Sequence, residues 1–293
     1  MDPTMSRQEL TPIRWFEEQG ITDYDLVMSN PRKGRQCYMF VDSDGNKCFL
    51  KWNDSLESNS VHCVLMQKEE KVYQLLQNTN IAPRYLGGGM FVTDYVDGGE
   101  TLRKRLKKLL RQRQDEQALC LLRETFKKWK LFCEVVNMNG MIADQQDATV
   151  LFDSYLMSLL VSGPIETKKN IFIHYRNRLL LSLFRLYLKN NLYKKLASII
   201  PVSVHGDFHL NNIIVDSRDD VFLLDFENVK TGLTDIEMAY IIAQIDNISE
   251  ANDNFREKLV VIINELDLVK DCDIYRKILK VYRKAIHFNK RFR

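Results

Sequence analysis

The run His205-Gly206-Asp207-Phe208-His209-Leu210-Asn211-Asn212 sets a carboxylate, Asp207, in a turn directly after the apolar segment Val202-Ser203-Val204. An amide side chain, Asn212, follows five residues later. Two short apolar runs, Ile213-Ile214-Val215 and Val221-Phe222-Leu223-Leu224, flank the polar turn Asp216–Asp220 and lead to a second carboxylate, Asp225, 18 residues past the first. Short β-prone runs separated by an Asp-rich turn predict a strand, a loop and a hairpin. A carboxylate on such a loop can accept a proton from an attacking hydroxyl. Asn212 and Asp225 offer hard oxygen atoms of the kind Mg2+ prefers. A base and two oxygen ligands in this order are the equipment of phosphoryl transfer. Each aspartate alone would read as a turn former; the joint order and spacing carry the chemical reading.

With these residues in hand, the chain resembles the protein-kinase-like superfamily. HGDFHLNN followed by LLDFE is most similar to the aminoglycoside phosphotransferase and choline kinase branch, which includes sugar and lipopolysaccharide-core kinases. That branch carries HGDxxxxN where most protein kinases carry HRDxxxxN. The likeness spans most of the chain as an order of elements, and is motif-level over 51–102 and 202–239. It implies an α+β, bilobal fold with a small antiparallel-sheet lobe, a larger helical lobe and the nucleotide between them. It implies ATP as the nucleotide substrate and Mg2+ as the metal. Asp207 would be the catalytic base, and Asn212 and Asp225 would be catalytic residues holding the metal.

The elements that must position this machinery can be sought upstream. Cys48-Phe49-Leu50-Lys51 ends a predicted strand, and by the resemblance Lys51 would anchor the ATP phosphates. Residues 61–77 have helical periodicity, with Leu65, Glu69, Val72 and Leu76 on one stripe. Glu69 is therefore the expected partner of Lys51; Glu70 points about 100° away. Phe91 to Glu100 resembles a kinase hinge, with Thr93 at the gatekeeper position. The backbone of Asp94 and Val96 would meet adenine, and Glu100 the ribose. Ser29 to Arg35 would be the phosphate loop, with Gly34 its one glycine. Asp235 would either brace the catalytic loop or cap a helix. The expected division is an N-terminal nucleotide-binding lobe over 1–93, a hinge over 94–100 and a helical catalytic and substrate lobe over 101–293.

Departures from the pattern narrow the function. The phosphate loop has no GxGxxG, Asp225-Phe226 is followed by Glu227 rather than Gly, and no APE sequence follows. Asp235 comes too soon after Asp225 for a long activation segment. These features favour a small-molecule kinase over the alternatives, a divergent bacterial Ser/Thr protein kinase or a nucleotide-binding pseudokinase. The expected acceptor is a hydroxyl of a sugar, cell-surface saccharide or glycolipid precursor. The charge, +3 over 293 residues, does not announce nucleic-acid binding, and no groove-reading or base-stacking motif is present. Basic stretches at 103–113 and 280–293 point to an anionic acceptor or peripheral contact with an anionic membrane surface. Six cysteines without CxxC or zinc spacing fit a reduced, cytoplasmic protein. No run is long and apolar enough for a membrane helix.

Overall fold

The structure is a computed structural model and describes residues 11–30, 35–53, 61–87, 90–140, 148–160 and 192–291. It divides into two compact units, 1–100 with 214–228, and 101–213 with 229–293.

In the first unit, helix α1 (Pro12–Glu18) starts at Thr11, whose hydroxyl accepts from the Arg14 amide at 3.3 Å. Pro12 at the first position suits a helix start. Strands β1 (Tyr24–Asn30), β2 (Arg35–Val41), β3 (Lys47–Asn53) and β4 (Phe91–Asp94) form one antiparallel sheet in that order. Side chains alternate between the two faces of a strand, and that period assigns every residue of β2 and β3. Tyr38, Phe40, Cys48, Leu50 and Trp52 share one face and bury against Trp15 and Phe16 of α1. The opposite face carries Cys37, paired in register with Lys51, which is in turn paired with Phe91. Lys51 is thereby turned away from the aromatic core.

Helix α2 (Val61–Leu76) buries Glu69, Val72, Tyr73 and Leu76. Strand β5 (Glu100–Thr101) leads out of this unit. The hairpin of β7 (Ile213–Val215) and β8 (Val221–Leu223) lies far along the chain, yet residues 214–228 pack with the first unit. The Leu223 amide donates to the Ile81 carbonyl at 2.8 Å. Phe226, in the 3-10 turn Phe226–Asn228, packs edge-on against Tyr73 of α2 with ring centroids 5.1 Å apart.

The second unit is mainly helical. Helix α3 (Leu102–Arg111) buries Leu102, Leu106, Leu109 and Leu110 and leaves its basic residues on the other side. Helices α4 (Asp115–Met138), α5 (Ala148–Leu160) and α6 (Leu192–Ser198) follow. A ladder of β6 (Val202–Val204) and β9 (Lys230–Gly232) joins them. Helices α7 (Thr234–Asp246), α8 (Asp253–Glu265) and α9 (Cys272–Arg291) complete the described residues. Helix α7 is buried on every side from Asp235 to Ile245, with α9 packed on it. Asn137 of α4 exchanges two hydrogen bonds with the backbone of Ser203, accepting at 2.8 Å and donating at 3.1 Å. Gly232 is required by space: a Cβ there would stand 2.3 Å from Leu151 and 3.0 Å from Val204.

The structure adds short elements, β5 and β9, that periodicity does not signal. Of the expected phosphate loop, Ser29 and Asn30 end β1 and Arg35 opens β2, whereas 31–34, including Gly34, lie outside the described residues. Most of the helix expected over 173–199 also lies outside them. Of the five described free cysteines, Cys37, Cys48 and Cys133 are buried, whereas Cys120 and Cys272 are exposed.

Candidate active site

In the first unit, Lys51 is the centre of a charge cluster. Its Nζ lies 2.6 Å from Glu69 Oε2, 3.0 Å from Asp225 Oδ1 and 3.5 Å from Glu227 Oε2. Arg35 donates to the same Glu227 oxygen at 2.5 Å. Lys51 is 7% exposed and Glu69 2%. Burial works against charge on the lysine, but Glu69, followed by Asp225 and Glu227, more than offsets it and holds the ammonium pKa above its ordinary value. Burial likewise raises the pKa of Glu69, and Lys51 opposes that shift. The neighbouring residue Glu70 instead accepts from the Tyr85 hydroxyl at 2.5 Å.

Two cations thus meet three carboxylates in this cluster. Glu69, Asp225 and Glu227 each bring one oxygen within 4.8 Å of the others, and hard carboxylate oxygens fit a divalent ion such as Mg2+. Asp225 also has φ of +63°, an unfavourable backbone for a residue with a Cβ, of the kind that persists where the surroundings over-determine it.

The hinge segment belongs to the same unit. Thr93 is buried. The Asp94 amide donates to the Arg84 carbonyl at 2.9 Å, so what Asp94 could offer an adenine is its carbonyl. Val96 accepts from Gly99 through its carbonyl at 3.1 Å, so what it could offer is its N–H. The Asp94 carboxylate is engaged by Arg84 at 3.1 and 3.3 Å. Glu100 is half-buried at the start of β5.

In the second unit, the loop after β6 is held by an inner ring of donors and acceptors. Gly206, with φ of +81°, turns the chain where a side chain would be strained. Asn212 Nδ2 donates to the Asp207 carbonyl at 3.1 Å and to Asp207 Oδ2 at 3.2 Å. With its nitrogen spent this way, the oxygen of the Asn212 amide is the end suited to a metal. Phe208 inserts its ring beside Trp129, centroids 5.4 Å apart, and its amide donates to the Tyr155 hydroxyl at 2.9 Å. Gln244 accepts from the Leu210 amide at 3.3 Å and from Arg103 at 3.0 Å.

The anchor of this loop is Glu237, which is completely buried. It accepts from the amides of His205 at 3.1 Å and Gly206 at 2.6 Å, from Trp129 Nε1 at 2.9 Å and from the Tyr155 hydroxyl at 2.6 Å. Burial raises its pKa, and the four donors pull the other way. Sequence reasoning left Asp235 either to brace the loop after β6 or to cap a helix. The structure instead has Asp235 accept from the amides of Lys270 and Asp271 at 2.9 and 3.1 Å, tying down the approach to α9. A signal for Glu237 existed: an acid within the apolar run Ile236 to Ala243 has to be satisfied internally. Glu227 was visible as the residue replacing the expected glycine, but its pairing with Arg35 was not.

Residues 173–261 match the model of the phosphotransferase enzyme family, a stretch that holds both HGDFHLNN and the Asp225 segment. This marks the chain as a phosphotransferase. Solved structures support the kinase-like fold over nearly the full length. An aminoglycoside phosphotransferase from Streptomyces rimosus, solved with ADP and streptomycin, is 16% identical with a TM-score of 0.58, covering 92% of this chain and 95% of its own. A spectinomycin phosphotransferase solved with ADP and spectinomycin is 11% identical with a TM-score of 0.56, covering 96% and 87%. The choline kinase LicA from Streptococcus pneumoniae is 14% identical with a TM-score of 0.50, covering 95% and 89%. No curated protein sequence matches.

Proposed function

We propose that this phosphotransferase moves the γ-phosphoryl group of ATP to a hydroxyl of a small molecule: a sugar, a cell-surface saccharide or a glycolipid precursor. The observation that carries the reading is the buried Lys51, held at 2.6 Å by Glu69 and at 3.0 Å by Asp225. A desolvated ammonium fixed among carboxylates is ready to take phosphate oxygens without losing its charge. Lys51 binds the nucleotide phosphates, and Glu69 fixes its direction. The carbonyl of Asp94 and the N–H of Val96 serve the adenine edge, with Glu100 at the ribose and Gly34 in the phosphate loop. Asp207 takes the proton of the acceptor hydroxyl as that oxygen attacks phosphorus. Asp225 and Asn212 hold Mg2+, with Glu227 as a further oxygen donor in reach of Asp225. When bound, the metal neutralises charge on the phosphoryl oxygens. The protein's main contribution is positioning and electrostatics.

Two features support an acceptor that is not polycationic. Lys230 and Arg103 both belong to the unit carrying Asp207, and burial lowers both pKa values. Of the acids available to form a cationic-acceptor site, Glu237 is buried and committed internally. Asp246 pairs with Arg283 at 2.6 Å and Arg256 at 3.6 Å, and Asp144 and Asp147 lie outside the described residues. Among the described residues no helix is long and apolar enough to cross a membrane. The basic end of α9 buries Val281 and Tyr282, so peripheral membrane contact there would rest on charge. A cytoplasmic setting supplies the ATP. The test is an ADP-release screen with Mg2+ over sugars, lipid-linked saccharides, choline, ethanolamine and streptomycin. Turnover on a saccharide supports the reading, and turnover confined to streptomycin or choline overturns the acceptor class.

A further inference from the structure

We propose that His209 is a positioning residue for Asp207, acting through its Nε2–H on the carboxylate oxygen Oδ2. The inference rests on the reading of Asp207 as the base. The ring is oriented from behind: His209 Nδ1 accepts from the Asn211 amide at 3.1 Å and from the Asn212 amide at 3.2 Å, while the His209 carbonyl accepts from Asn212 at 2.9 Å. A ring nitrogen that accepts hydrogen bonds carries no hydrogen, so the neutral imidazole has its N–H on Nε2. Nε2 lies 3.6 Å from Asp207 Oδ2, the oxygen that also accepts from Asn212 Nδ2 at 3.2 Å. A small rotation of either side chain closes the remaining gap, as is common when a catalytic hydrogen bond tightens on substrate binding.

Two N–H donors then face one oxygen of the base from different directions. They fix the plane of the carboxylate and hold its charge toward Oδ2. On the proposed reading Asp207 takes the acceptor proton: the acceptor O–H bond breaks, its proton goes to the carboxylate, the acceptor oxygen bonds to the γ-phosphorus, the β–γ P–O bond breaks, and ADP leaves with the electron pair of that P–O bond. A side chain that merely braced the loop would need only Nδ1.

The two ring nitrogens can be separated by substitution. His209→Asn keeps an oxygen near the Nδ1 position but does not reach Asp207. His209→Gln carries an amide N–H to about the Nε2 position. Uniformly 15N-labelled wild-type protein, with five histidines to resolve, is examined by long-range 1H–15N correlation, and His209 is assigned by its loss in either variant. His209 is expected as the Nε2–H form, with its Nε2 resonance shifted in Asp207→Asn. In ADP release from Mg-ATP, with water as acceptor and with the best hydroxyl acceptor of the screen, His209→Asn should lower kcat about tenfold or more. Its KM for ATP should stay within about twofold, and His209→Gln should recover most of kcat. Wild-type kcat in His209→Asn, an Nδ1–H form, or an Nε2 resonance indifferent to Asp207→Asn would each overturn the proposal. If wild-type protein turns over no acceptor, the phosphotransfer reading fails on its own. The spectra of wild type and Asp207→Asn then still decide the His209 contact, and they also decide it if His209→Asn does not fold.

Discussion

At the scale of single residues, Asp207 and Asp225 are chemically alike and should fail differently. Asp207 is paired with Asn212, whereas Asp225 faces Lys51 in the other unit's charge cluster. Asp207→Asn should abolish transfer, by about 10²-fold or more, while ATP affinity stays within about twofold. Asp225→Asn should lower the rate and also weaken Mg-dependent nucleotide binding if, as proposed, Asp225 holds the metal. Turnover assays beside nucleotide titrations with and without Mg2+ separate the two. Wild-type turnover in Asp207→Asn would assign the base elsewhere.

At the scale of elements, the loop over 205–212 is only as firm as α7, because Glu237 satisfies its first two amides from that helix. Glu237→Ala would strand the amides of His205 and Gly206, Trp129 Nε1 and the Tyr155 hydroxyl at once. A loss of about 3–5 kcal/mol in unfolding free energy is expected. Glu237→Gln keeps two acceptor positions on its oxygen and should cost roughly 1–3 kcal/mol. Denaturant melts of both variants check the order; equal losses would mean that the acceptor geometry is unimportant. The same helix shows what was and was not legible in the sequence. HGDFHLNN, the hairpin and the strand around Lys51 could be read because each is local: alternation and turn residues lie within a few positions of one another. The choice of Glu69 over Glu70 followed from helical phase, and the structure brings Glu69 to Lys51. Glu237, Gln244 and the Arg35–Glu227 pair could not be placed, because their partners lie 31 to 192 residues away and no periodicity links them. Asp235 drew attention as the first acid of the helix, but the phase of α7 sends the residue two later to the loop.

At the scale of the whole molecule, the basic residues bear on the acceptor. Part of the charge of α3 is already engaged, with Arg111 on Glu250 at 2.7 Å, so the attraction to an anionic acceptor should be moderate. It should also be screened beyond about 8 Å at physiological salt. Apparent acceptor affinity should therefore weaken as salt rises from about 50 to 300 mM, with KM rising and kcat little changed. Efficient, salt-insensitive phosphorylation of a polycationic aminoglycoside would contradict this.

The discontinuous make-up of the first unit also sets a timetable for the ribosome. Its sheet and α2 are complete by residue 100, but the segment bearing Asp225, Phe226 and Glu227 is not made until residue 228. At about 5–20 residues per second, the 128 residues between impose a wait of about 6–26 s. During that interval Tyr73 lacks Phe226 and Lys51 lacks two of its three carboxylates. A nascent chain arrested near residue 110 should accordingly be more protease-sensitive and more dependent on holdase chaperones than one arrested past residue 260. Equal protection of the two arrested chains would show that the early segment matures without its late-made hairpin.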